Sequence, residues 1–214
     1  MSKDDVIARL LDPGIIAIIR ADHSEHLQRA CEALVEGGIH AVEVTMTTPD
    51  ALSVIAQTAE ELGPQICLGV GTVLDEVTAR NAMLAGAQYV VTPVMRAEII
   101  RCCRRYGVPI ACGAFTPTEA LAAHEAGADF VKIFPADSVG PAYIKAIKAP
   151  LPQLRIIPTG GVTVETVGAF LKAGSSAVAA GSCLVSRDIL AKGDWPQLTQ
   201  RAREFVAAME VARA

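Results

Sequence analysis

Lys132 stands in an otherwise apolar segment that reads Phe-Val-Lys-Ile-Phe-Pro-Ala at positions 130–136. A lysine amine must be neutral to attack a ketone, and apolar surroundings favour the neutral form because they strip water from the ammonium ion. The residue type and its setting therefore indicate a lysine that forms a Schiff base with a 2-keto acid. The protonated imine would itself accept the electrons of a breaking carbon–carbon bond, so we expect neither a metal ion nor a cofactor.

Glu43 interrupts a second apolar segment, Ala-Val-Glu-Val-Thr at positions 41–45. Side chains alternate between the two faces of a strand, so Glu43 and Lys132 face the interior if their apolar neighbours face a helix layer. A mobile carboxylate at that place can carry each proton that a Schiff-base reaction moves. The alternative is a structural ion pair, although burying two charges costs several kcal/mol.

Two further groups could bind a carboxylate. Arg20 ends the apolar segment at 14–20, and its guanidinium can donate two hydrogen bonds to a carboxylate or a phosphate. The alternative for Arg20 is an ordinary solvated side chain at a strand end. The Gly-Val-Gly-Thr stretch at 69–72 predicts a loop whose backbone a ligand can approach closely, and in which Thr72 could hold a substrate carboxylate.

Glycines end two later apolar segments, as Gly160-Gly161 and as Gly181 followed by Ser182. In barrel enzymes the loops after the seventh and eighth strands, together with a helix N-terminus, commonly bind phosphate. Glycines let backbone N–H groups approach the anion, and the hydroxyl of Ser182 adds a donor. With a helix start at Thr163, these residues predict a phosphate site, whereas one Gly-Gly pair alone would mean only a turn.

The elements that must position these residues follow one alternating pattern. Eight short apolar segments, each typical of a buried parallel strand, are separated by stretches of helical periodicity. The segments span residues 14–20, 41–46, 67–72, 89–93, 109–115, 130–136, 155–161 and 177–184, and the clearest helix candidates span 24–37, 49–62, 75–85, 96–106 and 194–208. Eight such units predict an α/β fold, a (β/α)8 TIM barrel, with a doubly wound open sheet as the alternative.

Helix boundaries are marked along the chain. We expect helices to start at Thr48-Pro49, at Thr116-Pro117 and at Thr163-x-x-Thr166. Glycines at 38, 86, 127 and 174 should end helices by adopting the left-handed conformation. The chain has 214 residues. We expect one domain over residues 1–214, although length alone would allow two of about 100 residues each.

Composition narrows the classes of partner. A net charge of −4 and few aromatic residues argue against nucleic acid and acidic membranes as partners. The six cysteines and four histidines show no metal-ligand spacing, and most of the cysteines lie in apolar segments, as reduced thiols would. The first residues lack the apolar core of a signal peptide, and no segment is long and apolar enough to span a membrane. We expect a cytoplasmic protein.

Several blocks in one order resemble the KHG/KDPG aldolase family, the class I aldolases that act on 2-dehydro-3-deoxy-6-phosphogluconate. The blocks are Gly-Ile-x-x-Val-Glu-Val-Thr at 38–45, Gly-Val-Gly-Thr-Val-Leu at 69–74, Thr-Pro at 92–93, Val-Lys-Ile-Phe-Pro-Ala at 131–136, Pro-Thr-Gly-Gly-Val at 158–162 and Gly-Ser at 181–182. The resemblance covers nearly the whole chain and is far more specific than any single motif.

The resemblance implies a role for each matching residue. Lys132 would form the imine, Glu43 would act as general acid and base, and Thr72 would contact the pyruvate carboxylate. Pro93 and Phe134 would line the pocket. The phosphate would be held by the glycines and the hydroxyl already described. The substrate would be a phosphorylated keto-deoxy sugar acid that yields pyruvate and glyceraldehyde 3-phosphate, and the assembly would be a homotrimer.

Two departures from the family pattern leave the substrate open. Many members carry an arginine that binds the keto-acid carboxylate where this chain has Thr47, so that contact is lost or comes from Arg20. Arg20 and the segment at 140–146 are similar to the relatives specific for the 6-phosphogalactonate epimer, whereas Thr159 resembles the gluconate enzymes. The preferred C4 epimer is therefore left undecided, as is the use of phosphate-free 4-hydroxy-2-oxoglutarate.

Two other functions remain as alternatives. A non-catalytic barrel that binds a phosphorylated ligand would keep that binding after loss of the lysine. A metal-free sugar-phosphate isomerase or epimerase would use the carboxylate alone and would not be trapped on lysine by borohydride.

Overall fold

The computed structural model describes residues 1–20 and 24–214. In these residues eight parallel strands form one sheet whose order is β7-β6-β5-β4-β3-β2-β1-β8. The strands are β1 Ile15–Ile19, β2 Ala41–Thr45, β3 Cys67–Gly71, β4 Tyr89–Val91, β5 Ile110–Ala114, β6 Phe130–Ile133, β7 Ile156–Pro158 and β8 Val178–Ala180. A parallel bridge between Thr159 and Ala179 joins the two ends of the sheet and closes the ring.

Helices alternate with the strands in the described part of the chain. They are α1 Lys3–Leu11, α2 Ser24–Glu36, α3 Ala51–Leu62, α4 Glu76–Leu84, α5 Ala97–Arg105, α6 Pro117–Glu125, α7 Gly140–Lys148, α8 Val167–Lys172, α9 Arg187–Lys192 and α10 Trp195–Arg213, with a 3-10 turn at Ala136–Ser138. The predicted (β/α)8 TIM barrel is confirmed, and the open sheet is excluded.

Two layers of apolar side chains result from the alternation along each strand. Val42 and Val44 belong to the large core between strands and helices. A second, smaller core fills the barrel itself and contains Tyr89 and Phe130. Ala41 and Phe130 belong to this inner core, and side chains two residues apart on a strand face the same way, so Glu43 and Lys132 also point inward.

Helix α1 was not predicted. Its Val6 and Leu10 are buried and pack into the core inside the barrel, beside residues at the starts of the strands. Two hydrogen bonds from Arg9 to the carbonyls of Pro64 and Ile66 hold the helix against the segment that precedes β3. Because α1 lies at the N-terminal end of the barrel, the opposite end is left for a site.

The predicted helix starts had mixed outcomes. Thr116 caps α6 in a capping box with Glu119, as expected. The start at Thr48-Pro49 was wrong, because the Thr48 N–H donates to the carbonyl of Thr45 in a turn and α3 begins after Asp50. At the third predicted start, Thr163 and Thr166 exchange hydrogen bonds in the pattern of a capping box, although the regular helix α8 begins only at Val167.

The predicted glycine stops are confirmed. Gly38, Gly86, Gly127 and Gly174 have φ values of 91°, 110°, 97° and 100°, which are accessible to glycine at little cost. The strands are shorter than the predicted apolar segments, because each segment continues into the loop that follows the strand. Within residues 1–20 and 24–214, no helix combines the length and the apolar character that a bilayer crossing demands.

Candidate active site

A cavity of about 210 Å³ opens among residues at the C-terminal ends of the barrel strands. It is lined by Ile18, Arg20, Glu43, Thr47, Thr72, Pro93, Lys132, Phe134 and Thr159. The fold thus brings seven of the predicted site residues together, from six different strands or the loops that follow them. In barrel enzymes this end of the strands carries the chemistry.

Lys132 and Glu43 meet inside this cavity. Their side chains are 7% and 2% exposed, and 4.0 Å separates Nζ from Oε1. That distance is too long for a hydrogen bond, so the amine is near the carboxylate without being tied to it. A substrate atom or a water that contacts both groups from the side could relay a proton between them.

Aromatic groups border the lysine on two sides. The Phe134 ring centroid lies 5.3 Å from Nζ, on the open side of the cavity. Phe130 belongs to the core inside the barrel, below the lysine. Ile133, the next residue of the strand, faces the helix layer instead, because successive side chains point to opposite sides.

Thr159 follows the last residue of β7 and is 5% exposed. Its hydroxyl oxygen is buried and has no hydrogen-bond partner in the protein, although it lines the cavity. A buried hydroxyl without a partner is costly, and a ligand that supplied one would recover that free energy.

Thr72 has a backbone φ of 59° and also lines the cavity. This left-handed conformation is strained for a β-branched residue, and such strain concentrates at functional sites. Arg20 is exposed and Thr47 accompanies it in the same wall. The Thr47 hydroxyl lies 2.8 Å from that of Thr45. Arg20 and Thr47 thus border the same cavity from the ends of the neighbouring strands β1 and β2.

The four residues predicted to hold a phosphate lie beside the cavity, not in its wall. Gly160 and Gly161 have φ values of 100° and 67°, a left-handed conformation that favours glycine. Gly181 and Ser182 follow the neighbouring strand β8, and the serine is exposed. The regular helix α8 begins at Val167, six residues after Gly161, and the capped turn that precedes it starts at Thr163.

Sequence reasoning missed two residues here. Asp137 packs against the two glycines: a Cβ built on Gly160 would lie 3.1 Å from its Oδ1. Thr92 fixes the loop that carries Pro93, because its hydroxyl donates to the Val94 carbonyl at 2.8 Å and accepts from the Gly113 N–H at 2.9 Å. The Thr-Pro pair at 92–93 could have indicated the role of Thr92.

Tyr89 lies fully buried in the core inside the barrel. Burial raises the pKa of its phenol well above the ordinary value, so the hydroxyl is neutral. Its oxygen also has no hydrogen-bond partner in the protein.

Residues 6–201 match the sequence model of the family described as KDPG and KHG aldolase. The chain belongs to this family. The predicted family is confirmed, and so is the prediction that the protein is an aldolase.

Individual relatives agree with the family match. The chain is 34% identical over 204 residues to the 2-dehydro-3-deoxy-phosphogluconate aldolase of Pseudomonas aeruginosa, covering 95% of this chain and 91% of the relative. It is 34% identical over 200 residues to the 2-dehydro-3-deoxy-6-phosphogalactonate aldolase of Escherichia coli K12, covering 92% and 95%. The structure of the KDPG aldolase of Legionella pneumophila, with pyruvate captured as a covalent carbinolamine, superimposes with a TM-score of 0.86 at 26% identity, covering 95% and 97%.

Proposed function

We propose that this aldolase cleaves 2-dehydro-3-deoxy-6-phosphogluconate into pyruvate and glyceraldehyde 3-phosphate through an imine on Lys132. The observation that carries the proposal is the buried amine of Lys132 beside the Glu43 carboxylate, in a cavity at the C-terminal end of the barrel. The carbinolamine on the Legionella relative supports a covalent route for the family.

Each step moves a proton that Glu43 can carry. The neutral amine attacks the C2 ketone, and the carbinolamine loses water to give a protonated imine. The carboxylate then takes the proton of the C4 hydroxyl while the C3–C4 bond breaks. The electron pair of that bond moves into the protonated imine and converts it to an enamine. The aldehyde leaves, the carboxylic acid returns a proton to C3, and water releases pyruvate from Lys132.

The remaining residues hold the substrate in this proposal. Arg20 and Thr72 bind the C1 carboxylate, while Pro93 and Phe134 form the walls around the pyruvyl carbons. Thr159 supplies a hydrogen bond near the reacting centre. The phosphate lies beside these residues, held by the backbone and hydroxyl donors Gly160, Gly161, Gly181 and Ser182.

The galactonate epimer is the second candidate substrate. The Escherichia coli galactonate aldolase is as similar to the chain as the Pseudomonas gluconate enzyme, and Arg20 also favours it. Thr159 favours the gluconate epimer. Retro-aldol rates measured on both epimers, and on 4-hydroxy-2-oxoglutarate, decide among the three.

Borohydride trapping tests the imine. With pyruvate and borohydride, mass spectrometry should find a reduced adduct on Lys132, and Lys132→Ala should lose both the adduct and at least 1,000-fold of the activity, on the order expected for a covalent nucleophile. The matched control is Lys172→Ala, which removes an exposed lysine from α8. An adduct on another lysine, or a fully active Lys132→Ala enzyme, would contradict the proposal.

We also propose a homotrimer of single-domain chains, residues 1–214 each, in the cytoplasm. Six free cysteines suit a reducing compartment. Leu74, Val77 and Val94 are 52%, 64% and 48% exposed on or just after neighbouring elements, which suits contact with another subunit. Light scattering coupled to gel filtration measures the assembly, and a monomer would contradict it.

A further inference from the structure

Strand β3 carries two glycines, Gly69 and Gly71, that face the interior of the barrel. Neither has a left-handed φ, so backbone conformation does not require glycine at either position. Glycine inside a strand is destabilising compared with alanine. We therefore expect that a side chain is absent at these two positions because neighbouring residues occupy the space it would fill.

The two glycines give space to different side chains. A Cβ built on Gly69 would overlap three carbon atoms of the Tyr89 ring. A Cβ built on Gly71 would overlap Oε1 of Glu43 and lie only 2.5 Å from Cδ and 2.7 Å from Cγ. No real Cβ makes such contacts, so the Glu43 carboxylate occupies the volume that any side chain at position 71 would take.

Strand register explains this contact. Glu43 pairs with Gly69, and Thr45 pairs with Gly71, so the Glu43 side chain extends along β3 from one glycine toward the next. The same direction leads to the open end of the barrel, where Oε1 lies 4.0 Å from the Lys132 amine. The path over Gly71 is how the carboxylate reaches the lysine.

We propose that Gly71 is a positioning residue, which holds open the space from which the Glu43 carboxylate transfers protons. This inference rests on the proposed function, because it takes Glu43 as the proton carrier. Alanine at position 71 displaces the far end of the Glu43 side chain and leaves the backbone in place. A shift of about 1 Å in a catalytic group lowers a rate by about 100-fold.

The kinetic test uses Gly71→Ala. We expect kcat to fall about 10- to 100-fold, with the KM for the phosphorylated substrate and the borohydride adduct on Lys132 retained. The pH profile of kcat should shift, because the displaced carboxylate has a different environment. The matched control is Gly168→Ala, at which a Cβ meets only Ala212 at 3.5 Å, and its kcat should equal that of the unaltered enzyme.

The stability test is a double-mutant cycle that does not depend on catalysis. Gly71→Ala should lower the urea midpoint of the otherwise unaltered protein. In a Glu43→Ala background, where the overlapping atoms are gone, the same change should leave the midpoint unchanged or raise it. If Gly71→Ala alone does not fold, the double variant should recover the fold.

Three results would overturn the inference: an unchanged kcat and pH profile in Gly71→Ala, equal effects on the midpoint in the two backgrounds, or a double variant that stays unfolded. Failure of the proposed function looks different. In that case the unaltered enzyme itself gives no adduct on Lys132, while the cycle still reports whether Gly71 and Glu43 compete for one space.

Discussion

Nζ of Lys132 and Oε1 of Glu43 lie 4.0 Å apart. The two side chains come from opposite sides of the barrel, because three strands separate β6 from β2. Both side chains are nearly buried. The lysine can therefore react with a ketone while a second group, held on an independent strand, moves the protons. Substitutions of Lys132 and of Glu43 should therefore have different effects on imine formation and on proton transfer.

Glu43→Gln should retain the imine and lose proton transfer. The amide keeps the shape of the side chain but cannot carry a proton, so we expect the retro-aldol rate to fall about 100- to 10,000-fold. Exchange of the pyruvate methyl protons with deuterium, followed by NMR, should slow to a similar degree. Borohydride should still trap pyruvate on Lys132, but more slowly, because Glu43 also carries the protons of imine formation in the proposed mechanism. Exchange at the unaltered rate would remove Glu43 from its proposed role.

Arg20 should supply the carboxylate contact that the family resemblance assigns, in many members, to an arginine at position 47. Both positions border the cavity that holds Lys132. Losing charged hydrogen bonds to a carboxylate costs about 1.5–3 kcal/mol, so Arg20→Ala should raise the KM for pyruvate in the exchange reaction about 10- to 100-fold. Arg20→Lys should raise this KM less than Arg20→Ala does, but should not restore the original value, since an ammonium cannot form two parallel hydrogen bonds to a carboxylate.

A second variant separates this contact from general damage to the site. Thr47→Arg in the Arg20→Ala background places a guanidinium in the same wall of the cavity, and the KM should move back toward its original value. If Arg20→Ala leaves the KM unchanged, or if Thr47→Arg brings no recovery, the carboxylate is bound elsewhere.

The barrel and the proposed catalytic pair could be predicted because local sequence patterns reveal which residues are buried and which way each strand residue faces. Eight apolar segments with glycine stops determine the number of strands. A charge at an inward position of a strand is conspicuous, so Glu43 and Lys132 stand out from their neighbours. Strand order then places the two residues opposite each other, without knowledge of any contact.

The parts that failed depend on packing that no local pattern describes. Helix α3 begins later than predicted because the backbone N–H of Thr48 donates a hydrogen bond within a turn, and a Thr-Pro pair alone does not reveal this. Helix α1 is buried against residues from several distant strands, a relation that only the closed barrel creates. Asp137 reaches Gly160 in the same way, across two neighbouring loops.

Cysteine labelling should detect the phosphate site without any turnover. Burial raises the pKa of the Cys31, Cys67 and Cys103 thiols to about 12, and the thiolate is the reactive form, so these three stay unlabelled in the folded protein near neutral pH. Cys183 is exposed and follows Ser182 directly. Iodoacetamide should therefore modify Cys183 first, as peptide mass spectrometry would show.

Inorganic phosphate should slow the labelling of Cys183 if it occupies the site beside Ser182. Ser182→Ala should weaken that protection, and it should raise the KM for the phosphorylated substrate more than that for 4-hydroxy-2-oxoglutarate. Pyruvate alone, which lacks a phosphate, serves as the negative control. Equal labelling rates with and without phosphate would place the phosphate elsewhere.

Thr159→Val should change the preference between the two C4 epimers. Valine keeps the shape of threonine, so the variant removes only the buried hydroxyl that has no partner in the protein. If that hydroxyl bonds the substrate, its loss costs about 1–3 kcal/mol, and kcat/KM for the gluconate epimer should fall about 5- to 100-fold. The galactonate epimer should lose less, because its C4 hydroxyl points the other way. Parallel losses on both epimers would leave Thr159 as a general contact and the epimer choice to another residue.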